Sequence, residues 1–249
     1  MTFDKVLTLP FKNDGIVKLL IGGVLQLIPI INFFSMGYVV ECYEKGALRR
    51  EEMPEWTDWG NKFVNGLLIF VISFVYLLIP ILLFGSSLVS MVTNPWYGIS
   101  GGMMLLGIIV FLVFAFSLPM AIANFAAKKN FAAAFEFGYI FKLIGSSLGS
   151  YIGAFLLYIV AAIICMIIAM IPVIGWIAII FIGFYLGCVA GFLFGSVYGK
   201  AGGAAFAGGN PVSGAVVETA AALERSFCSD CGESLQPQAK FCPKCGSRQ

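Results

Sequence analysis

Charge is distributed along this chain so that long stretches carry none. The 15 basic and 13 acidic side chains all lie outside three blocks, residues 19–40, 63–127 and 143–199. A charge at the centre of a bilayer costs roughly 2.5 to 3.5 kcal/mol, so hydrocarbon selects blocks of this kind. With 60% hydrophobic and 11% charged residues, the composition excludes a soluble domain. The sequence predicts an all-α polytopic membrane protein.

Four membrane spans follow from length. At about 1.5 Å of rise per residue, roughly 20 apolar residues cross a ~30 Å hydrocarbon core. The uncharged blocks accordingly predict spans at residues 63–84, 100–124, 150–170 and 174–199.

Residues 14–40 allow two interpretations, a single span or a tight hairpin. Ile28-Pro29-Ile30-Ile31-Asn32 resembles Ile171-Pro172-Val173-Ile174-Gly175, which must turn the chain between the last two spans. A hairpin would also place all 15 Lys and Arg on one side of the membrane, as the positive-inside rule favours. We therefore expect about six membrane segments in three hairpins, in a cytoplasmic membrane with both termini cytoplasmic.

The connector at residues 41–62 carries an acidic and aromatic patch. Glu55, Trp56, Asp58 and Trp59 lie close together in it, and they are candidates for contact with a lipid headgroup or another ligand. Tryptophan at a membrane interface is also ordinary anchoring, and basic residues are interspersed with the acids. Simple anchoring is therefore the alternative interpretation of the patch.

Five glycines recur at every fourth position along the last predicted span. In a helix this spacing forms a seam of small residues, a glycine zipper, that lets another backbone approach closely. The seam either packs against a neighbouring span of the same chain, which we favour, or forms a homo-oligomer interface. Its members are Gly183, Gly187, Gly191, Gly195 and Gly199.

The uncharged blocks offer little chemistry. The chain has no His, and no Asp or Glu lies within the blocks. A proton-coupled transporter usually needs such groups, and no Ser-His-Asp or Cys-His arrangement can be built. We therefore expect no catalytic residue and no enzymatic activity. A passive transporter, channel or lipid scramblase stays an alternative, which a water-lined groove at Gln26, Asn32 and Asn124 would favour.

The C-terminal tail contains the most specific motif. After a membrane domain at residues 1–200, the Gly- and Ala-rich residues 201–225 predict a flexible linker. Residues 226–249 hold two Cys-x-x-Cys pairs, each followed by Gly. Four thiolates suit a closed tetrahedral Zn²⁺ site, which is structural because no coordination position stays open, and which needs a reducing compartment. The predicted zinc ligands are Cys228, Cys231, Cys242 and Cys245.

Several short runs give the chain a family likeness. They are Gly22-Gly23, Ile28-Pro29-Ile30-Ile31-Asn32-Phe33-Phe34, Gly37-Tyr38, Met53-Pro54-Glu55-Trp56-Thr57-Asp58-Trp59, Phe63-Val64-Asn65-Gly66 and Phe131-Ala132-Ala133-Ala134-Phe135. Across roughly residues 10–200, the chain resembles the prokaryotic membrane family catalogued as domain of unknown function 4013. The resemblance implies an integral membrane protein of bacteria or archaea with no catalytic residues to carry over, and members of the family often carry zinc-ribbon tails.

These observations favour a non-enzymatic protein that organises or senses the bilayer or neighbouring proteins. The zinc ribbon would be a cytoplasmic docking module for a protein partner, and the lipid bilayer would be the other partner. An accessory subunit of a membrane complex is a further alternative. Lys240, Lys244 and Arg248 form only a thin basic edge on the ribbon, so we do not expect it to bind nucleic acid.

Overall fold

The described part of the chain folds into helices. The computed structural model describes residues 3–12, 14–93, 101–171, 174–202 and 245, and no strand occurs among them. The chain divides into two compact units, Met1–Pro211 and Val212–Gln249, and the helices described here belong to the first. The helices are α1 (Phe3–Thr8), α2 (Gly15–Gln26), α3 (Asn32–Ala47), α4 (Trp59–Thr93), α5 (Gly101–Lys128), α6 (Phe137–Ser146), α7 (Leu148–Ala169) and α8 (Ile174–Lys200), with 3₁₀ turns at Leu9–Phe11 and Phe131–Phe135.

Four of these helices are long and apolar enough to cross a bilayer, which confirms the membrane prediction at that level. Pro80 and Pro119 lie inside α4 and α5, and both helices continue through them. The outer face of α7 is almost entirely apolar and exposed, as lipid contact requires. The candidate spans are Trp59–Ser86, Met104–Lys128, Leu148–Ala169 and Ala178–Lys200.

Residues 14–40 fall into two helices, α2 and the first part of α3, rather than one. The chain turns between them at Ile30, whose φ of 73° is unusual for a β-branched residue. Ser35 Oγ then donates a hydrogen bond to Gly22 O at 2.8 Å. The two helices contain only 12 and 16 residues, so neither is among the four candidate spans, and a count of six membrane segments is not confirmed.

The most enclosed helix is α3, which packs against α2, α4, α5 and α8. A Cβ at Gly37 would collide with Lys62 O, and one at Gly66 would collide with Phe33 O. Gly37 meets Lys62, whereas the earlier residue Phe33 meets the later residue Gly66. The two helices α3 and α4 are therefore antiparallel. Because glycine has no Cβ, the two backbones can touch where a larger residue would hold them apart.

The predicted glycine seam of α8 lies against α3 of the same chain. A Cβ at Gly187 would lie 3.1 Å from Val39 Cγ2, and one at Gly191 would lie 2.7 Å from Cys42 Cβ. Gly195 and Gly199 are closer still, to Tyr43 O and Ala47 O, whereas a Cβ at Gly183 would meet only Gln26 Oε1 at 3.9 Å. The contacts advance along both helices together, so α3 and α8 run in parallel, and α3 occupies the seam from Gly187 onward.

The charged segments meet at one end of the helical domain. Because α3 runs parallel to α8 and antiparallel to α4, the end of α3, the start of α4 and the end of α8 share that end. Ion pairs then join the N-terminal segment and both connectors to each other. They are Lys5–Glu51, Lys18–Glu55, Lys45–Glu52, Lys62–Glu41, Lys128–Glu136 and Lys129–Glu44.

Alanine substitutions in the α8 seam test its packing against α3. Gly195→Ala should lower the free energy of unfolding by roughly 1 to 3 kcal/mol, since the new methyl group meets backbone that cannot move freely. Thermal melting of the detergent-solubilised protein measures this loss. Gly183→Ala should be neutral or slightly stabilising, because its Cβ would make only an ordinary van der Waals contact with Gln26 Oε1 at 3.9 Å and alanine favours the helix. Equal losses at both positions would contradict this packing.

Candidate functional site

The connector between α3 and α4 is bound to the helices on either side of it. Tyr38 O–H donates to Pro54 O at 2.9 Å. Lys45 Nζ donates to Glu52 Oε1 at 2.9 Å and to Met53 O at 3.4 Å. α3 itself ends where Arg49 takes up a φ of 54°, which turns the chain out of the helix. The connector therefore folds back over the end of α3.

Trp56 lies at the centre of this folded connector. Its indole N–H donates to Lys18 O of α2 at 3.1 Å, which ties the connector to a second helix. Its ring stacks on Tyr38 at a centroid distance of 4.4 Å and on Trp59 at 5.5 Å. Trp56 thus has a structural role, because it joins α2, α3 and the start of α4.

The acidic members of the predicted patch are more accessible. Glu55 Oε1 lies 2.6 Å from Lys18 Nζ, and the Glu55 side chain is 67% exposed. Asp58 precedes α4 with a φ of 52°, and its carboxylate accepts a hydrogen bond from Asn61 Nδ2 at 2.5 Å. Trp59 begins α4 and is 44% exposed. The fold brings Glu55, Trp56, Asp58 and Trp59 together as an exposed acid beside an aromatic stack, and their ligand contact stays a prediction.

A buried ion pair beneath the patch was not predicted from the sequence. The side chain of Lys62 is 1% exposed, and its Nζ lies 2.7 Å from Glu41 Oε1 and 2.8 Å from Thr57 O. The ammonium also lies 5.9 Å from the centroid of the Tyr38 ring. Glu41 and Lys62 lie at opposite ends of the charged stretch at residues 41–62. Charged side chains in such a stretch are usually exposed to solvent. α4 approaches α3 closely here, since a Cβ at Gly37 would collide with Lys62 O, and the Glu41 side chain keeps 25% of its surface exposed.

A second polar network ties α5 to α8 and to the following connector. Asn124 is fully buried, its amide donates to Ala133 O at 2.8 Å and to Glu136 Oε2 at 3.2 Å, and its Oδ1 accepts from Tyr198 O–H at 2.8 Å. Lys128 Nζ lies 2.5 Å from Glu136 Oε2. Asn124 therefore serves packing between helices, and it does not line a polar groove with Gln26 and Asn32.

Ion pairing shifts the titration of the connector acids. The hydrogen bond from Lys128 holds the pKa of the Glu136 carboxyl below its usual value, with a smaller effect from Asn124. Hydrogen bonds from Lys5 and Lys45 likewise lower the pKa values of Glu51 and Glu52. These three acids are ionised at neutral pH and hold the basic side chains at the charged end of the domain.

The predicted metal ligands fall almost entirely outside the described residues. Cys228, Cys231 and Cys242 are among the undescribed residues, and Cys245 is exposed. The donor set itself, two Cys-x-x-Cys pairs, fits a tetrahedral Zn²⁺ ion. Within the described part of the chain, no other cluster of three His, Cys, Asp or Glu residues is placed to hold a metal.

The fold and the tail together define a class: helical membrane proteins that carry a cysteine-rich zinc-ribbon domain. A family model described as a protein of unknown function (DUF4013) matches residues 21–174, and a zinc-ribbon domain model matches residues 227–249. Since the first match covers more than half of the chain, the protein belongs to the DUF4013 family, as its motifs indicated. No curated protein and no solved structure matches the chain.

Breaking the buried ion pair tests its contribution to stability. Lys62→Ala should lower the free energy of unfolding by roughly 3 kcal/mol, because it leaves Glu41 charged and poorly solvated. A Lys62→Met, Glu41→Leu double variant should lose less, since both charges are then removed. The control, Lys5→Ala, breaks the exposed Lys5–Glu51 pair and should leave thermal stability in detergent unchanged. Indistinguishable melting of the Lys62 and Lys5 variants would contradict the structural role of the buried pair.

Proposed function

We propose that the protein is a non-enzymatic membrane-organising or scaffold protein whose zinc ribbon docks a cytoplasmic protein partner. The observation that carries this proposal is the combination of a DUF4013 membrane domain and a zinc-ribbon domain in one chain. A ribbon with four cysteine ligands leaves its metal no open coordination position, so its use is structural and recognition falls to the ribbon surface.

In the proposed orientation, the protein spans the cytoplasmic membrane and both of its termini lie in the cytoplasm. The shared location of the charged helix ends supports it, because basic residues are retained on the cytoplasmic side. Four free thiolates also require a reducing compartment, which independently favours a cytoplasmic tail. The positive-inside rule and the chemistry of the metal therefore agree.

The proposed topology has six membrane segments in three hairpins. The antiparallel contact of α3 with α4 and the Ser35–Gly22 hydrogen bond between α3 and α2 support entry and return at the charged end. α7 and α8 are also antiparallel, since Gly175 approaches Ile168 O while Phe194 packs on Phe155. In this arrangement α2 and α3 form a short hairpin that does not cross the full bilayer.

The glycine seam of α8 supports this proposal because α3 of the same chain already packs against it. From Gly187 to Gly199 it faces α3 of the same chain, which supports intrachain packing and leaves that surface unavailable to a second copy. We therefore propose the ribbon as the surface that binds a partner. If that partner is itself a membrane protein, the chain would be an accessory subunit of a membrane complex.

Zinc binding is tested by metal analysis of the purified protein. We expect one zinc ion per chain, held by Cys228, Cys231, Cys242 and Cys245, because four thiolates complete a tetrahedral shell. Cys228→Ser, Cys231→Ser should abolish the zinc content and unfold the ribbon, since metal binding supplies its folding free energy. The control variant is Cys165→Ser, which changes a cysteine of α7 and should keep the full zinc content. Zinc retained by the double variant would contradict the assignment.

The docking proposal is tested by comparing the intact protein with a version that lacks residues 226–249. Both are isolated in native nanodiscs, and the bound proteins are identified by mass spectrometry. We expect a defined protein partner that is lost with the ribbon and lost equally from the Cys228→Ser, Cys231→Ser variant. The same proteins on all three preparations, or zinc-dependent capture of nucleic acid in place of protein, would refute it.

A further inference from the structure

A groove runs along the side of the helical domain between α2 and α7. Both helices pack on α8 but not closely on each other, so α8 forms the floor and the other two form the walls. Leu7 and Phe11 of the N-terminal segment complete the lining, and the cavity volume is about 560 Å³. This volume lies within the range of roughly 300 to 1,000 Å³ that is typical of sites for small ligands.

The lining of the groove is almost purely apolar. Ile16 and Leu20 of α2 face Ile164 of α7 across a floor that includes Phe181 and Tyr185. The hydroxyl of Tyr185 donates a hydrogen bond to Leu7 O at 3.0 Å, so the most polar group of the lining already has a partner. An apolar cavity of this kind does not hold ordered water or a polar ligand. Its chemistry suits a hydrocarbon chain.

The groove opens on the outer face of the domain. Its walls include Ile16, Leu20, Val160 and Ile164, which are 53%, 51%, 55% and 53% exposed. Such side chains on a candidate membrane domain contact lipid. A hydrocarbon chain can therefore enter the groove sideways from the bilayer without crossing a polar surface.

A basic residue follows the lining residue Phe11 in the chain. Lys12 directly follows Phe11, is exposed, and makes no ion pair with any described residue. Its neighbours Lys5 and Lys18 are neutralised by Glu51 and Glu55. The charge of Lys12 also acts on Glu51, but no carboxylate of the described residues pairs with it, and an ammonium group near the membrane surface attracts an anionic headgroup.

We propose that this groove binds one acyl chain of an anionic phospholipid, with Lys12 attracting the headgroup. The apolar lining selects a hydrocarbon chain, the exposed walls connect it to the bilayer, and the charge of Lys12 favours an anionic lipid over a zwitterionic one. The proposal concerns the helical domain alone and does not depend on the docking role of the ribbon.

The test is photocrosslinking of the full chain in phosphatidylcholine nanodiscs. The probe is phosphatidylglycerol with a diazirine on one acyl chain, and peptide mass spectrometry locates the crosslinks. We expect several-fold more labelling at groove residues such as Ile164 and Phe181 than at Ile163 and Ile167 on another face of α7. Ala161→Phe fills the groove and should reduce groove labelling several-fold, whereas Ile163→Phe should leave it unchanged.

The headgroup part of the proposal has its own comparison. The same diazirine chain on phosphatidylcholine should label the groove several-fold less than on phosphatidylglycerol. Lys12→Gln should abolish that difference, and Lys142→Gln, which removes an exposed lysine of α6, should preserve it. Because the charge variants leave the core intact, they test the proposal even if Ala161→Phe fails to fold.

Several outcomes would overturn the proposal. They are equal labelling of both faces of α7, full groove labelling in a folded Ala161→Phe protein, and equal labelling by the two lipids. The version lacking residues 226–249 should label like the intact chain. Failure of the ribbon to bind a partner would therefore leave the lipid result unaffected.

Discussion

Backbone contact between α3 and its neighbours is the constraint on which the rest of the helical domain depends. Gly37 and Gly66 bring α3 and α4 together, and Gly191, Gly195 and Gly199 bring α8 against the other side of α3. Lipid is as apolar as the helix surfaces, so hydrophobic burial does little to hold membrane helices together and close packing must supply the attraction. Small residues on both partners of α3 make that packing possible.

Enclosure of α3 creates a second requirement, because the helix carries Glu41, Glu44 and Lys45 among apolar residues. Lys62 neutralises Glu41, and Lys129 lies 3.1 Å from Glu44. The folded connector supplies the partners of Lys45 through Glu52 and the carbonyl of Met53. The aromatic stack around Trp56 holds the connector over the end of α3, where connector groups satisfy polar groups of that helix.

Sequence patterns predicted the four long apolar helices and the family, because these depend on local composition and on short motifs. The central position of α3 could not be predicted from the sequence. Its charged residues make it unlike a membrane span, and it is buried by contacts with helices that are distant in the chain. The Lys62–Glu41 pair and the bonds of Asn124 to Tyr198 and Ala133 were missed for the same reason. Groups far apart in sequence meet only once the helices are packed. The groove between α2 and α7 likewise arises because both helices pack on α8 but not closely on each other.

The unequal lengths of the helices suggest how such a domain acts on a membrane. α2 has 12 residues, or about 18 Å of helix against a ~30 Å hydrocarbon core, whereas α4 has 35 residues. At the turn that follows α2, Ile28 and Ile30 are 47% and 69% exposed, so this end of the proposed hairpin has an apolar surface. A bilayer adapts to a short segment by thinning or by local rearrangement of lipids. The groove proposed to bind lipid lies beside α2, so an acyl chain bound there would lie next to the short helix. A membrane-organising role can therefore follow from helix length and packing, without any reactive group.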